Sequence, residues 1–152
     1  SMALKEQLAD DLKDAMRARD QRRVSAIRML RAAITNLEIS RTDRKNSQFG
    51  QPVTDQDLLG VVQKEAAQRR EAIQFAEQAK RPDLIEKERT ELAVVESYLP
   101  KQLSRDEIRA EVEQLIAEQG REFRKVMPLA AQRLRGRADG RLVNEVVREL
   151  TG

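Results

Sequence analysis

The chain has 152 residues, of which 29 are Lys or Arg and 26 Asp or Glu, giving a formal net charge of +3; 39% are hydrophobic, 36% charged, and neither Cys nor His occurs. That composition removes disulfides, thiolate nucleophiles, imidazole bases and the usual zinc ligands, so no catalytic residue, cofactor or metal is expected. Aromatic residues are confined to Phe49, Phe75, Tyr98 and Phe123, while Ala, Leu, Glu, Arg and Gln dominate; this is the composition of helices clad in ion pairs, and the expected fold is all-α.

Leu4, Leu8, Leu12 and Met16 recur every four residues and predict an amphipathic helix near 3–19. Asp20 can cap a second helix near 21–39, in which Val24, Ile27, Leu30, Ile34 and Leu37 repeat at spacings of three and four. Periodicity then lapses in "RTDRKNSQFGQPVT", which reads as a mobile loop. Thr54, with Asp57 three residues on, predicts the start of a third helix near 55–79. Pro82 breaks it, and Asp83 can cap a fourth near 83–99. Helices three and four should form a long antiparallel hairpin.

The stretch "YLPKQLSRDEI" is the expected boundary between an N-terminal helical domain, 2–100, and a C-terminal one, 103–152. Pro100 disfavours helix at Leu99, and Ser104 with Glu107 forms an S-x-x-E capping box. Three short helices follow, near 105–118, 123–135 and 140–151, and predict a small three-helix bundle. Pro128 lies within the middle one, which must therefore bend there or start later.

Charge is concentrated late in the chain: residues 121–141 hold seven basic side chains against two acidic ones. Within "RLRGRADGR", Arg133, Arg135, Arg137 and Arg141 crowd one connection, with Asp139 beside them. Gly136 fits the left-handed position that ends a helix, and Asp139 fits an N-cap, so the stretch is at least a tight turn whose arginines complement a helix C-terminus. It could also hold phosphates: Gly136 and Gly140 permit close backbone approach, the next helix offers free N–H groups, arginine forks suit phosphate, and Asn144 could reach a ribose or base edge. With aromatics so scarce, a structured RNA gripped by shape and backbone fits better than stacked single strands. A subsidiary basic patch, Arg22, Arg23, Arg28 and Arg31, lies on the second helix; such charges are most often a solvated face.

On the third helix, Lys64 and Arg70 belong to that solvated default, whereas Arg69 projects near the apolar stripe and should pair with an acid of the neighbouring helix. Glu86, Glu88 and Glu91 are fanned around the fourth helix and offer no obvious paired site. No G-x-S-x-G, S-x-x-K or P-loop sequence occurs.

Three blocks carry a family likeness: "LADDLKDAMRARDQRRVSAIRMLRAAITNLEI", "KEAAQRREAIQFAEQAKRPDLIEKERTELAVVESYLPKQLS" and "KVMPLAAQRLRGRADGRLVNEVV". In order, and over nearly the whole chain, they resemble the YqeY family. The resemblance implies a two-domain, all-helical protein whose C-terminal domain is similar to the tail of the GatB and GatE subunits of tRNA-dependent amidotransferases, a domain that contacts the tRNA body. It places the family's basic turn on Arg133, Arg135, Gly136, Ala138 and Asp139, and its V-N helix on Val143 and Asn144. Pro128 departs from the family pattern, which puts in doubt how Lys125 is presented.

The leading expectation is a non-catalytic module that binds tRNA through Lys125, Arg133, Arg135, Gly136, Arg137, Gly140, Arg141 and Asn144. An adaptor docking an aminoacyl-tRNA enzyme or an amidotransferase through the hairpin is the second. The third is a carbon–nitrogen ligase using glutamine as amido donor, for which the chain lacks the catalytic domains. No signal-peptide-like apolar core and no run near the ~20 apolar residues of a membrane span occurs; the expected location is the cytoplasm, with no membrane partner.

Overall fold

The computed structural model describes residues 2–152, with side chains from residue 3 onward. They form α1 (Met2–Arg17), α2 (Gln21–Ser40), α3 (Asp55–Gln78), α4 (Pro82–Glu96), α5 (Arg105–Gln119), α6 (Phe123–Leu134) and α7 (Gly140–Thr151), with no strand among the described residues. The protein is all-helical, as the composition predicts. Contacts divide it into two compact units, Ser1–Tyr98 and Leu99–Gly152.

In the first unit α1 packs on α2, α2 on α3 and α4, and α3 along α4. The core follows the apolar periodicity: Leu8, Val24, Ile27, Leu30, Ile34, Leu58, Val62 and Val95 are all buried. The Asp20 carboxylate accepts a bond from the Arg23 amide and caps α2, and Thr54 and Asp57 cap α3 reciprocally. Asp83, expected to cap α4, does not: the N-cap position is Arg81, Pro82 follows it, and the Asp83 carboxylate pairs with the Arg81 guanidinium at 3.2 Å. The turns after α1 and α3 close through left-handed residues that are not glycine, Arg19 (φ 56°) and Lys80 (φ 54°). At the unit's end the Tyr98 hydroxyl donates to the Asp11 carboxylate of α1. Burial first, and then the bond to Asp11, push the Tyr98 pKa well above its ordinary value.

The connection 41–54, which reads as mobile, is instead tied down. Arg41 is only 7% exposed. Its guanidinium donates to the carbonyls of Gln51 (3.3 Å) and Pro52 (3.0 Å) and to the Asp57 carboxylate (3.1 Å), while its own carbonyl accepts from Gly50 (2.8 Å). One side chain thus satisfies backbone groups that a polar loop would otherwise leave to water.

In the second unit each helix packs on the other two. Ile108, Val112 and Leu115 of α5, Val126, Ala130 and Leu134 of α6, and Val143, Val146, Val147 and Leu150 of α7 close one core, with Ala138 of the turn beneath them. Ser104 and Glu107 form the capping box of α5, and Gly120 (φ 90°) ends it. α6 runs through Pro128 and begins at Phe123. Since Pro128 lies within its first two turns, the cost is one missing bond, to the Arg124 carbonyl near the helix start.

Candidate nucleic-acid interface

The α6–α7 connection is built by its backbone. Leu134 ends α6, and its carbonyl accepts from the amides of Arg137 (2.9 Å) and Ala138 (3.1 Å). Gly136, at φ 81°, makes the left-handed step that this closure needs. The Asp139 carboxylate then accepts from the Arg141 amide (2.8 Å) and caps α7. A strap from the unit's start holds the turn from the other side: the Leu103 amide donates to the Arg137 carbonyl (2.8 Å), and the Gln102 side-chain amide donates to the Gly136 carbonyl (3.0 Å). With its carbonyls turned to the strap, the turn has a fixed shape.

The two glycines differ. Gly136 is buried and needed for its positive φ. Gly140 is exposed and has no atom within 4 Å of where a Cβ would stand, so packing does not require it and the backbone there is open to approach. Asp139 already occupies part of the α7 N-terminus, so the amides of that helix start are not all available to an anion.

The charged side chains fall into three groups. Arg133 stands 3.6 Å from Glu118, and Arg137 stands 3.5 Å from Glu111. Both are partly solvated and longer than a charge-assisted hydrogen bond, so each is worth at most about 1 kcal/mol and exchanges readily for another anion. Arg135 and Lys125 are exposed and form no ion pair among the described residues. Arg141 is exposed on the first turn of α7. Asn144, named for a ribose or base edge, sits one turn further on and is engaged within the unit: its oxygen accepts from Arg148 Nε (2.9 Å), and its amide nitrogen faces the Met127 sulfur (3.8 Å). Arg148 in turn lies over the Phe123 ring, 4.5 Å from its centre, a cation–π contact that fixes α7 on α6.

The α2 patch is divided. The Arg23 guanidinium lies 3.8 Å from Asp11, and Arg22 is half-buried. Arg28 and Arg31 are exposed.

Sequence reading missed one cluster. Arg69 meets Glu91 and Glu88 of α4 at 3.6 and 3.7 Å and Glu65 of its own helix at 3.6 Å, with the Met29 thioether alongside. Arg69 thus does pair with the neighbouring helix. The fanned carboxylates, however, are not all apart: Glu88 and Glu91 are i, i+3 neighbours on one face, and Glu65 joins them across the interface. The spacing i, i+3 was the available signal, hidden by reading Glu86, Glu88 and Glu91 together. Arg69 Nε, Glu88 Oε2 and Glu91 Oε1 are buried with no hydrogen-bond partner among the described residues. No group of three or more acidic residues there has metal-holding geometry, and no described helix is long and apolar enough to cross a membrane.

Fold and site together define an all-helical protein whose C-terminal unit displays a rigid, arginine-bearing turn between two helices. The chain belongs to the YqeY family: the family's sequence profile, described as Yqey-like protein, matches residues 5–151. It is similar to "Altered inheritance of mitochondria protein 41, mitochondrial" of Kluyveromyces lactis, 36% identical over 114 residues, covering 73% of this chain and 57% of the relative. The protein of the same name from Eremothecium gossypii is 36% identical over 92 residues, 60% of this chain and 46% of that one. In Pyrenophora tritici-repentis it is 30% identical over 154 residues, 95% and 79%. The chain spans about half the length of the first two curated relatives. These names correct the expectation of a cytoplasmic protein: the relatives are called mitochondrial, and a chain without a leader-like apolar core gave no sound ground for assigning the compartment.

Proposed function

We propose that this protein is a non-catalytic RNA-binding module that grips the phosphate backbone of a structured RNA of the tRNA class. The three-helix C-terminal unit is the RNA-contact domain, and the α3–α4 hairpin of the N-terminal unit is free to dock a tRNA enzyme. The observation that carries this reading is Arg135: it is exposed on a conformationally fixed turn, forms no ion pair among the described residues, and is flanked by Arg133 and Arg137, whose partners are loose and solvated. Guanidinium groups in such a setting bind phosphate at little cost in intramolecular bonds. The resemblance of this turn to the tail of the amidotransferase subunits points the same way. The compartment that goes with this reading is that of the named relatives, the mitochondrion.

Lys125, Arg133, Arg135, Arg137 and Arg141 are assigned to phosphates, with the open backbone at Gly140 as a place of close approach and Gly136 as the residue that shapes the turn. Asn144 holds Arg148. Crosslinking in cells followed by sequencing of the bound RNA tests the proposal. Recovery of tRNA, lost when Arg133, Arg135 and Arg137 are changed to Glu, supports it; recovery of tRNA undiminished by those changes contradicts it and favours a protein-docking role for the hairpin.

A further inference from the structure

Two peptide planes in the α6–α7 turn are held from both sides. In the plane joining Gly136 to Arg137, the Arg137 amide donates to the Leu134 carbonyl (2.9 Å), and at the opposite edge the Gly136 carbonyl accepts from the Gln102 side-chain amide (3.0 Å). In the next plane the Ala138 amide donates to the Leu134 carbonyl (3.1 Å), and the Arg137 carbonyl accepts from the Leu103 amide (2.8 Å). A trans peptide points its N–H and C=O in opposite directions, so a plane bonded at both edges cannot rotate without breaking one bond. Three of these bonds join backbone to backbone; the fourth comes from the side chain of Gln102. The same amide nitrogen donates to the Pro100 carbonyl (2.8 Å), so both of its hydrogens are used within the unit. The far end of the strap is fixed as well, because Ser104 is the N-cap of α5.

Arg135 depends on this lock. It has already left α6 (φ −57°, ψ 129°) and stands immediately before the left-handed Gly136 (φ 81°), so its direction is set by the turn and not by the helix. Arg137 follows Gly136 directly. We infer that Gln102 is a positioning residue for the phosphate-binding turn. Uncharged and half-buried, it holds the Gly136 carbonyl and thereby the spread of Arg135 and Arg137 that is presented to an RNA backbone. The inference rests on the RNA reading and adds to it a residue that binds no phosphate. With the turn locked, the conformational entropy of ordering it is lost in folding and not again on binding.

Gln102→Met keeps the length of the side chain and removes both donors, and the full chain carrying it tests the inference by two measurements. In the free protein, amide hydrogen exchange at Arg137 and Ala138 should quicken by about three- to tenfold, the worth of one neutral hydrogen bond, while Val126 and Val147 in the core keep their protection. Affinity for total tRNA should fall by a similar factor, with the slope of log affinity against log salt unchanged, because no phosphate contact is removed. A residue that only supports overall stability would leave the affinity of the folded protein as it was. Wild-type affinity in the variant, a flattened salt slope, or unchanged exchange at Arg137 and Ala138 would overturn the inference and leave the RNA reading standing. Absence of tRNA binding by the wild-type chain would overturn both.

Discussion

Arg41, the residue that caps the end of α2, reaches across a long polar connection to Asp57 in the first turn of α3 and meets its carboxylate at 3.1 Å. The same carboxylate accepts from the Thr54 amide at 3.0 Å. One acidic group therefore closes a helix cap and anchors a buried guanidinium.

Asp57→Asn should cost about 2 kcal/mol at neutral pH, by weakening a charge-assisted bond and half of a capping box. The Thr54 amide first, opposed by burial, and then Arg41 hold the Asp57 pKa below 3.8 in the folded protein. A depressed value means that the group's contribution is present above the unfolded-state pKa and is lost as pH falls through the folded one. Urea unfolding should show the wild-type advantage over Asp57→Asn at pH 7 shrinking as the pH is taken below 3.8. An advantage that is constant with pH would contradict this.

The Arg69 cluster makes an asymmetric prediction. Three carboxylates share one guanidinium, and Glu91 is only 2% exposed. Arg69→Met, which removes the one cation of this group, should destabilise by about 3–5 kcal/mol, because it leaves buried negative charge uncompensated. Glu91→Gln should cost less than about 1 kcal/mol, since it removes charge from a site that has an excess. Chemical denaturation of the two variants checks the ordering, and a larger loss for Glu91→Gln would refute it.

Lys80 and Arg19 close their turns with positive φ. Changing Lys80 to Gly should raise stability by about 0.5–1 kcal/mol, because a Cβ is disfavoured in that conformation and a glycine is not. Thermal unfolding with a higher midpoint is the expected outcome; a lower one would show that the Lys80 side chain makes a contact that outweighs the strain.

Asn144 is engaged by Arg148 and Met127. Asn144→Ala should therefore lower stability by about 1 kcal/mol and leave RNA affinity within about twofold. A large affinity loss with unchanged stability would restore the base-edge role that its place in the sequence first invites.

The all-helical character was legible because burial is periodic: Val24, Ile27, Leu30 and Ile34 are spaced at three and four in the sequence and all lie inside. Caps were legible where their chemistry is local, at Asp20, Thr54, Ser104 and Asp139. What was not legible depends on partners distant in sequence. The connection 41–54 reads as mobile until Arg41 is seen to bind its far end, and the Glu65, Glu88 and Glu91 cluster exists only once α3 and α4 are side by side. The turn at Gly136 was readable as a turn. That Arg133 and Arg137 would find Glu118 and Glu111, while Arg135 would not find a carboxylate among the described residues, required the packing of α5 against α6 and α7.

The proposed RNA binding rests on the cations of the 133–141 turn facing a polyanion, and a salt titration of binding measures that directly. With total tRNA and the full chain, four to six neutralised phosphates predict a slope of about −3 to −5 in log affinity against log salt. Arg135→Glu should weaken binding and flatten the slope by about one unit. Absence of salt-sensitive binding at low ionic strength, or a slope and affinity untouched by Arg135→Glu, would contradict the account.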